Sequence, residues 1–229
     1  MNNDVVRLTC DALLFDLDGV LVDSIVSVEH TWRVWAARHG LDAAAILRSA
    51  HGRRALDTVK IVAPHLDAAA EIIALSAQEA STTQGLSEVP GAHALLSALP
   101  ADRWAVVTSG DRPVAEHRLR QVGLPIPTVM VCGDEVTHGK PDPEGYLAAA
   151  AKLGIAPGGC VIVEDAPSGV EAAQNAGMRV IAVTTTHSAE ELSDADAVTD
   201  TLSALTVRIR GQERTPRLDI DVRLPTKAS

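Results

Sequence analysis

Leu13-Leu14-Phe15-Asp16-Leu17-Asp18-Gly19-Val20-Leu21-Val22-Asp23-Ser24 is the stretch on which the fold turns. An apolar run stops at two carboxylates two residues apart, and a glycine follows at once. Side chains alternate faces along a strand, so a strand ending at Phe15 leaves Asp16 and Asp18 on the loop at its carboxyl end. Open α/β sheets bind ligands at that end. Two adjacent carboxylates repel one another unless a cation lies between them. An oxygen-ligand pair of this kind suits Mg²⁺, which takes few carboxylates and keeps several waters.

Working outward, residues 1–9 read as a short polar lead-in and Cys10–Phe15 as the first strand. Beyond the stretch the texture is helical as far as residue 88. Ser24 reads as the N-cap of a helix running to His39 and stopped by Gly40. Val28, Thr31, Trp32, Trp35 and Ala36 recur along it at helical spacing. Helical segments at Asp42–Ala50, Ala55–Ala63 and Asp67–Thr83 follow, the first broken by His51-Gly52-Arg53-Arg54. After Pro90-Gly91, strand candidates alternate with helices. The strands are Trp104–Val107, Thr128–Val131, Cys160–Val163, Val180–Val183 and Ala197–Val198, and the helices about Ala92–Leu99, Pro113–Val122, Pro143–Leu153 and Ser168–Ala176. This alternation predicts an α/β fold with a parallel sheet. The expected organisation is a core from residues 1–23 and 89–205, a helical domain of residues 24–88 inserted after the first strand, and a segment of residues 206–229. In that last segment Val207, Ile209, Leu218, Ile220, Val222 and Leu224 alternate with charged residues. It reads as an edge hairpin turning around Gly211–Pro216 or as a poorly ordered tail.

Composition narrows the function. The chain has 229 residues, room for one large domain or a core with a smaller insert. Hydrophobic residues make up 46% but aromatics only 2%, which suits helices packed closely on a parallel sheet. A net charge of −10 argues against partners such as nucleic acid or an anionic membrane. Any anionic substrate then needs local positive charge, and the lysines are only Lys60, Lys140, Lys152 and Lys227. Cys10, Cys132 and Cys160 lie apart in apolar segments without a CxxC spacing, which reads as buried reduced thiols rather than a zinc site. No leader and no apolar run near 18 residues is evident, so the expectation is a soluble, cytoplasmic monomer.

Four features fall at strand ends. They are Asp16/Asp18, then Thr108-Ser109-Gly110, then Gly139-Lys140-Pro141-Asp142-Pro143, then Glu164-Asp165 before Ala166-Pro167-Ser168-Gly169. A hydroxyl with successive N–H groups at a strand–helix junction forms an anion cradle. A lysine held between a glycine and a Pro-x-Pro turn is well placed to meet an anion. Each feature alone is weak; together, in this order, they bring carboxylates, a hydroxyl and an ammonium to one rim of a sheet.

This set resembles the haloacid dehalogenase superfamily over about residues 10–205, with its four motifs at Asp16-Leu17-Asp18-Gly19, Thr108, Lys140-Pro141-Asp142 and Glu164-Asp165. The resemblance implies a Rossmann-like core with a helical cap that closes over the site. It also implies roles. Asp16 is the nucleophile that forms an aspartyl-phosphate, and Asp18 is the acid and base. Thr108, Ser109 and Gly110 hold the transferring group, and Lys140 offsets its charge. Asp16, Asp165 and the carbonyl of Asp18 hold Mg²⁺, with Glu164 an outer or alternative ligand.

Residues also sort the branches of the family. Dehalogenases and phosphonoacetaldehyde hydrolases lack the second aspartate, and Asp18 is present. β-Phosphoglucomutases usually carry a histidine at the position of Val28 and an arginine at that of Ala55. His51-Gly52-Arg53-Arg54, together with Glu29 and Trp32, instead resembles phosphatases of 2-deoxyglucose 6-phosphate and glycerol 3-phosphate. His51, Arg54 and Glu29 are therefore candidate substrate contacts, and a small phosphorylated metabolite is the expected partner. A sugar phosphomutase is the rival enzyme, and a non-catalytic binding module the rival of another class.

Overall fold

The computed structural model of the chain describes residues 4–50, 52–211 and 217–225. The expected first strand is two. β1 (Val5–Cys10) and β2 (Ala12–Phe15) belong to different sheets. The chain changes sheet at Asp11, whose N–H donates to the Gly159 carbonyl at 2.6 Å. β2 is buried at every position. It sits in a parallel sheet of six strands with β5 (Trp104–Val107), β6 (Met130–Val131), β7 (Cys160–Glu164), β8 (Arg179–Val183) and β9 (Ala197–Thr199), in the order β6-β5-β2-β7-β8-β9. The strand order reverses beside β2, which makes its carboxyl end the switch point where such sheets bind ligands.

Both faces of this sheet are buried, by alternation along each strand. Leu13, Phe15, Val106, Val161 and Ile181 face one core, with α5 (Ala92–Ser97) and α6 (Arg112–Gln121). Ala12, Leu14, Ala105, Ile162 and Ala182 face the other, with α7 (Glu144–Leu153) and α8 (Pro167–Asn175). Alanines on both sides of the second interface let helix and sheet approach closely, as the low aromatic content leads one to expect.

The segment after residue 205 forms β10 (Leu205–Arg210) and β11 (Arg217–Arg223). They pair with β1 in a separate antiparallel sheet of order β1-β11-β10. Residues 5–9, read from sequence as lead-in, are thus strand. Leu218, Ile220 and Val222 alternate inward, and with Leu8 and Cys10 they extend the first core. Burying these side chains is worth about 1.5–3 kcal/mol each. Residues 212–216, where a turn was expected, lie outside the described part.

Helices α1 (Ile25–His39), α2 (Ala43–Ala50), α3 (Ala55–Val62) and α4 (Ala68–Glu79) form a third core of their own around Trp32, Trp35, Ile46, Val59 and Leu75. Asp67 caps α4, its carboxylate accepting from the N–H groups of Ala69 and Ala70. The helical unit leaves and rejoins the chain through β3 (Val22–Asp23) and β4 (Ser87–Glu88). They pair antiparallel, Val22 with Glu88 and Asp23 with Ser87, where the sequence carried no strand signal.

Candidate active site

The parallel strands deliver their carboxyl ends to one rim. Asp16 follows β2, Thr108 follows β5, Lys140 lies in the loop after β6, and Glu164 and Asp165 sit at the end of β7. Lys140 Nζ donates to Asp16 Oδ1 at 2.7 Å and to Glu164 Oε1 at 2.6 Å. One oxygen from each of Asp16, Glu164 and Asp165 lies within 4.8 Å of the others. All three carboxylates are buried. Three carboxylates against one ammonium leave excess negative charge in a medium that tolerates it poorly.

The titration of the cluster reflects that excess. Burial pushes the Asp16 carboxyl up to about 7, with Lys140 opposing and Glu164 and Asp18 adding to the rise. Asp165 is held well above the usual carboxylate range by burial, then by the charges of Glu164 and Asp16. Burial also works to raise Glu164, but Lys140, Tyr146 and the Asp165 N–H hold it below its ordinary value. A hard divalent cation meets this excess with the donor type present, carboxylate oxygens of Asp16 and Asp165. Gly19, at φ +78°, keeps the approach to Asp165 open, since a Cβ there would come within 2.0 Å of Asp165 Oδ2.

Glu164 is engaged on both oxygens. Oε1 accepts from Lys140 and, at 2.8 Å, from the Tyr146 hydroxyl; Oε2 accepts from the N–H groups of Asp165 (2.8 Å) and Ala166 (3.1 Å). It is fully buried, and Gly169 makes the space, because a Cβ there would overlap its carboxylate. Glu164 therefore fixes Lys140 and the turn into α8, with less oxygen capacity left for a metal than Asp16 or Asp165.

Asp18 is held from two sides. Ser24 Oγ donates to Oδ1 at 2.6 Å, and Arg118 Nη1 donates to Oδ2 at 2.6 Å. Ser24 does not cap α1 with its side chain, because its hydroxyl is spent on Asp18. Thr108 Oγ1 accepts from the Gly110 N–H at 3.0 Å, which leaves the hydroxyl proton of Thr108 to give and takes one backbone donor out of the expected cradle. Ser109 Oγ donates to the Gly52 carbonyl at 3.0 Å and so ties the core loop to the helical unit.

A cavity of about 100 Å³ opens over Asp16 and Asp18, between the sheet rim and the helical unit. Ile25, Val28 and Trp32 line it from α1, one face at helical spacing. Glu29 is off that face and pairs with Arg33 at 3.0 Å, so it does not line the cavity as expected. Arg53 lines the cavity; Arg54 does not. Arg54 is buried, in a bidentate pair with Asp57 at 2.7 and 3.0 Å, and donates to the carbonyls of Val136 and Thr137 at 2.8 and 3.1 Å. Of the two adjacent arginines, Arg53 lines the cavity and Arg54, the N-cap residue of α3, is held by the core loop. His51, the other expected contact in this loop, lies outside the described residues.

A family model for haloacid dehalogenase-like hydrolases matches residues 10–177. The chain belongs to the haloacid dehalogenase-like hydrolases. This hydrolase is 44% identical over 205 residues to "Hexitol phosphatase A" of Escherichia coli (strain K12), covering 87% of this chain and 95% of the relative. It is 33% identical over 215 residues to "2-deoxyglucose-6-phosphate phosphatase 2" of Saccharomyces cerevisiae, covering 83% and 87%. Among solved structures it resembles a putative β-phosphoglucomutase from Thermotoga maritima, at TM-score 0.63 and 29% identity, covering 84% and 95%. The hydrolase has no helix among its described residues long and apolar enough to cross a membrane.

Four residues that touch the site's carboxylates were not among the expected site residues: Ser24, Arg118, Tyr146 and Thr186. Thr186 reaches the site from the loop after β8 and hydrogen-bonds the Asp165 carboxylate. Arg118 carried a readable signal. It falls in the apolar stripe Val114, Ala115, Leu119 of α6, where a charge stays only if something buried needs it. The position of Arg54 yields a test. Arg54→Met is expected to lower the unfolding midpoint in urea, by about 2–4 kcal/mol of stability, through lost hydrogen bonds to buried carbonyls and Asp57. A tenfold rise in KM with unchanged stability would instead put Arg54 on the substrate.

Proposed function

We propose that this hydrolase is a Mg²⁺-dependent phosphatase of small sugar or polyol phosphates, working through an aspartyl-phosphate on Asp16. The observation that carries the reading is Lys140 bridging Asp16 and Glu164 beside Asp165, at the switch point of the sheet. The names of the relatives, phosphatases of hexitol and deoxyglucose phosphates, support the substrate class. Asp16 attacks phosphorus while the bond to the leaving oxygen breaks. Asp18 protonates that oxygen, then takes a proton from the water that cleaves the phosphorus–Asp16 bond. Lys140 offsets the phosphoryl charge, and the Thr108 hydroxyl donates to a phosphoryl oxygen. Asp16, Asp165 and the Asp18 carbonyl would hold Mg²⁺, which would supply further neutralisation of the phosphoryl charge. Helices α1–α4 act as a cap that keeps bulk water from the phosphoryl group. Three buried free cysteines suit a reducing compartment such as the cytoplasm.

A mutase must hold a bisphosphate, with a second dianion at the far end of the cavity. The cavity wall beyond Asp18 carries the carboxylates of Glu79 and Asp111. Arg118, the cation beside Glu79, holds Asp18 through Nη1 and faces a second carboxylate in Glu79, so its charge is already offset. Like charges there disfavour a second phosphate, and a neutral hydroxylated chain fits better. A phosphate-release screen over phosphorylated metabolites, with Mg²⁺ and with chelator, tests class, metal and substrate together. Expected is Mg²⁺-dependent release from hexitol and sugar monophosphates. Conversion of glucose 1-phosphate to glucose 6-phosphate, primed by bisphosphate and without free phosphate, would refute the reading.

A further inference from the structure

The wall of the cavity beyond Asp18 holds a buried guanidinium and a partly exposed carboxylate that face each other with their hydrogen bonding incomplete. Glu79 ends α4 on the cap side; Arg118 comes from α6 on the core side. Their closest atoms, Glu79 Oε2 and Arg118 Nη2, are 3.4 Å apart; the Arg118 side chain is 4% exposed and that of Glu79 17%. Among the described residues Nη2 is buried without a hydrogen-bond partner. Both groups line the cavity. The other guanidinium nitrogen, Nη1, holds Asp18, so Arg118 cannot turn to improve its fit with Glu79.

A buried donor left without an acceptor is costly unless a ligand completes it. The missing piece must accept from Nη2 and donate to the carboxylate. Water does this, and among substrate groups a hydroxyl does. A phosphate or carboxylate offers Glu79 only repulsion, and a methylene leaves Nη2 unpaired. We propose that Glu79 and Arg118 form a hydroxyl-reading subsite, which selects phosphate monoesters carrying a neutral hydroxyl on the carbon chain beyond the phosphate. The subsite spans cap and core, so it is complete only when α4 is seated against α6. This deepens the phosphatase reading and rests on the substrate phosphate lying at Asp16.

The test is calorimetric and independent of turnover. Asp16→Asn protein is titrated with a hexitol 6-phosphate and with its monodeoxy analogues, in the Glu79 wild-type and Glu79→Leu backgrounds. With Glu79 present, removing one particular hydroxyl is expected to weaken binding about 10–100-fold. In Glu79→Leu that ratio falls toward one, while the ratios for the other hydroxyls are unchanged. Glu79→Gln keeps the shape and guards against a leucine variant that fails to fold. In it the same hydroxyl is still preferred, but a hexitol bisphosphate gains about tenfold relative to the monophosphate. Equal ratios in all backgrounds, or a uniform loss for every analogue, overturn the subsite. Wild-type protein that releases no phosphate from any of these esters overturns the phosphatase reading alone, because the binding ratios stand without it.

Discussion

Asp16→Asn is expected to lower turnover of every phosphate monoester by about 10⁴-fold or more, and at the same time to make the metal-free protein more stable at pH 7. The first effect follows from the loss of the nucleophile, which an amide of the same shape does not replace. The second follows from the charge excess around Lys140. Removing one of three buried carboxylates lets the ammonium balance the remainder better, and gains of roughly 0.5–2 kcal/mol are usual when a strained functional group is relieved. That corresponds to a rise in Tm of a few °C for a domain of this size. The sign with pH is definite. Asp16 titrates at about 7 in the fold against an ordinary 3.8. The folded protein thus binds its proton more tightly, and the contribution of Asp16 is fully present below about pH 4 and lost as pH rises toward 7. The advantage of the asparagine variant should therefore be absent at pH 4 and largest at pH 7 and above. Thermal melts in chelator across that range, with phosphate release at pH 7, measure both parts. Unchanged turnover would remove Asp16 from the chemistry, and a lower Tm at pH 7 would remove the account of the cluster's charge.

Lys140→Ala works in the opposite direction. Its side chain is 7% exposed and is the cation that touches both Asp16 and Glu164. Without it the cluster is a set of buried carboxylates with no contacting counter-charge. Breaking a buried pair in this way costs about 3–5 kcal/mol, a fall in Tm of about 10 °C. Activity should fall about 10²–10³-fold, as when one preorganised donor is removed from a site of developing charge. Adding Mg²⁺ should restore more Tm to Lys140→Ala than to the wild type, because the cation then answers the larger excess. A melt within 2 °C of the wild type in chelator would show that Lys140 does not hold the cluster together.

Much of this architecture was legible because burial on both faces leaves a strong signal in a chain. Runs such as Leu13–Phe15 and Val161–Val163 announce strands of a parallel sheet, and abrupt polar residues at their ends announce the rim. Asp16, Thr108, Lys140 and Asp165 could be picked out on that logic. Contacts that depend on distance along the chain left no local trace. β1 lacks an apolar run, and its role appears only when β11 is beside it. Orientation within a helix or loop was the other blind spot. Glu29 and Arg54 are correct residue types in the correct region, but a rotation of one residue sends Val28 and Arg53 to the cavity in their place. Arg118 and Tyr146 were missed because each acts through a carboxylate on another element, and spacing in the sequence says nothing of that meeting.

The sheet that joins β1 to β11 has a consequence for how the protein is made. Thr9 and Asp219, hydrogen-bonded across it, are 210 positions apart. During synthesis β1 leaves the ribosome some 210 residues ahead of the strand it pairs with. The six-stranded sheet can pair in the meantime, since β9 precedes β10 and β11 in the chain. β1 meanwhile carries an open edge that invites other chains. Its alternate charged and polar residues Arg7 and Thr9, facing Asp221 and Asp219 in the finished sheet, leave a mixed strand that is a poor template for aggregation while it waits. Closure of the long loop costs entropy that grows only slowly with length, so β11 acts as a fastener set once the six-stranded sheet is in place.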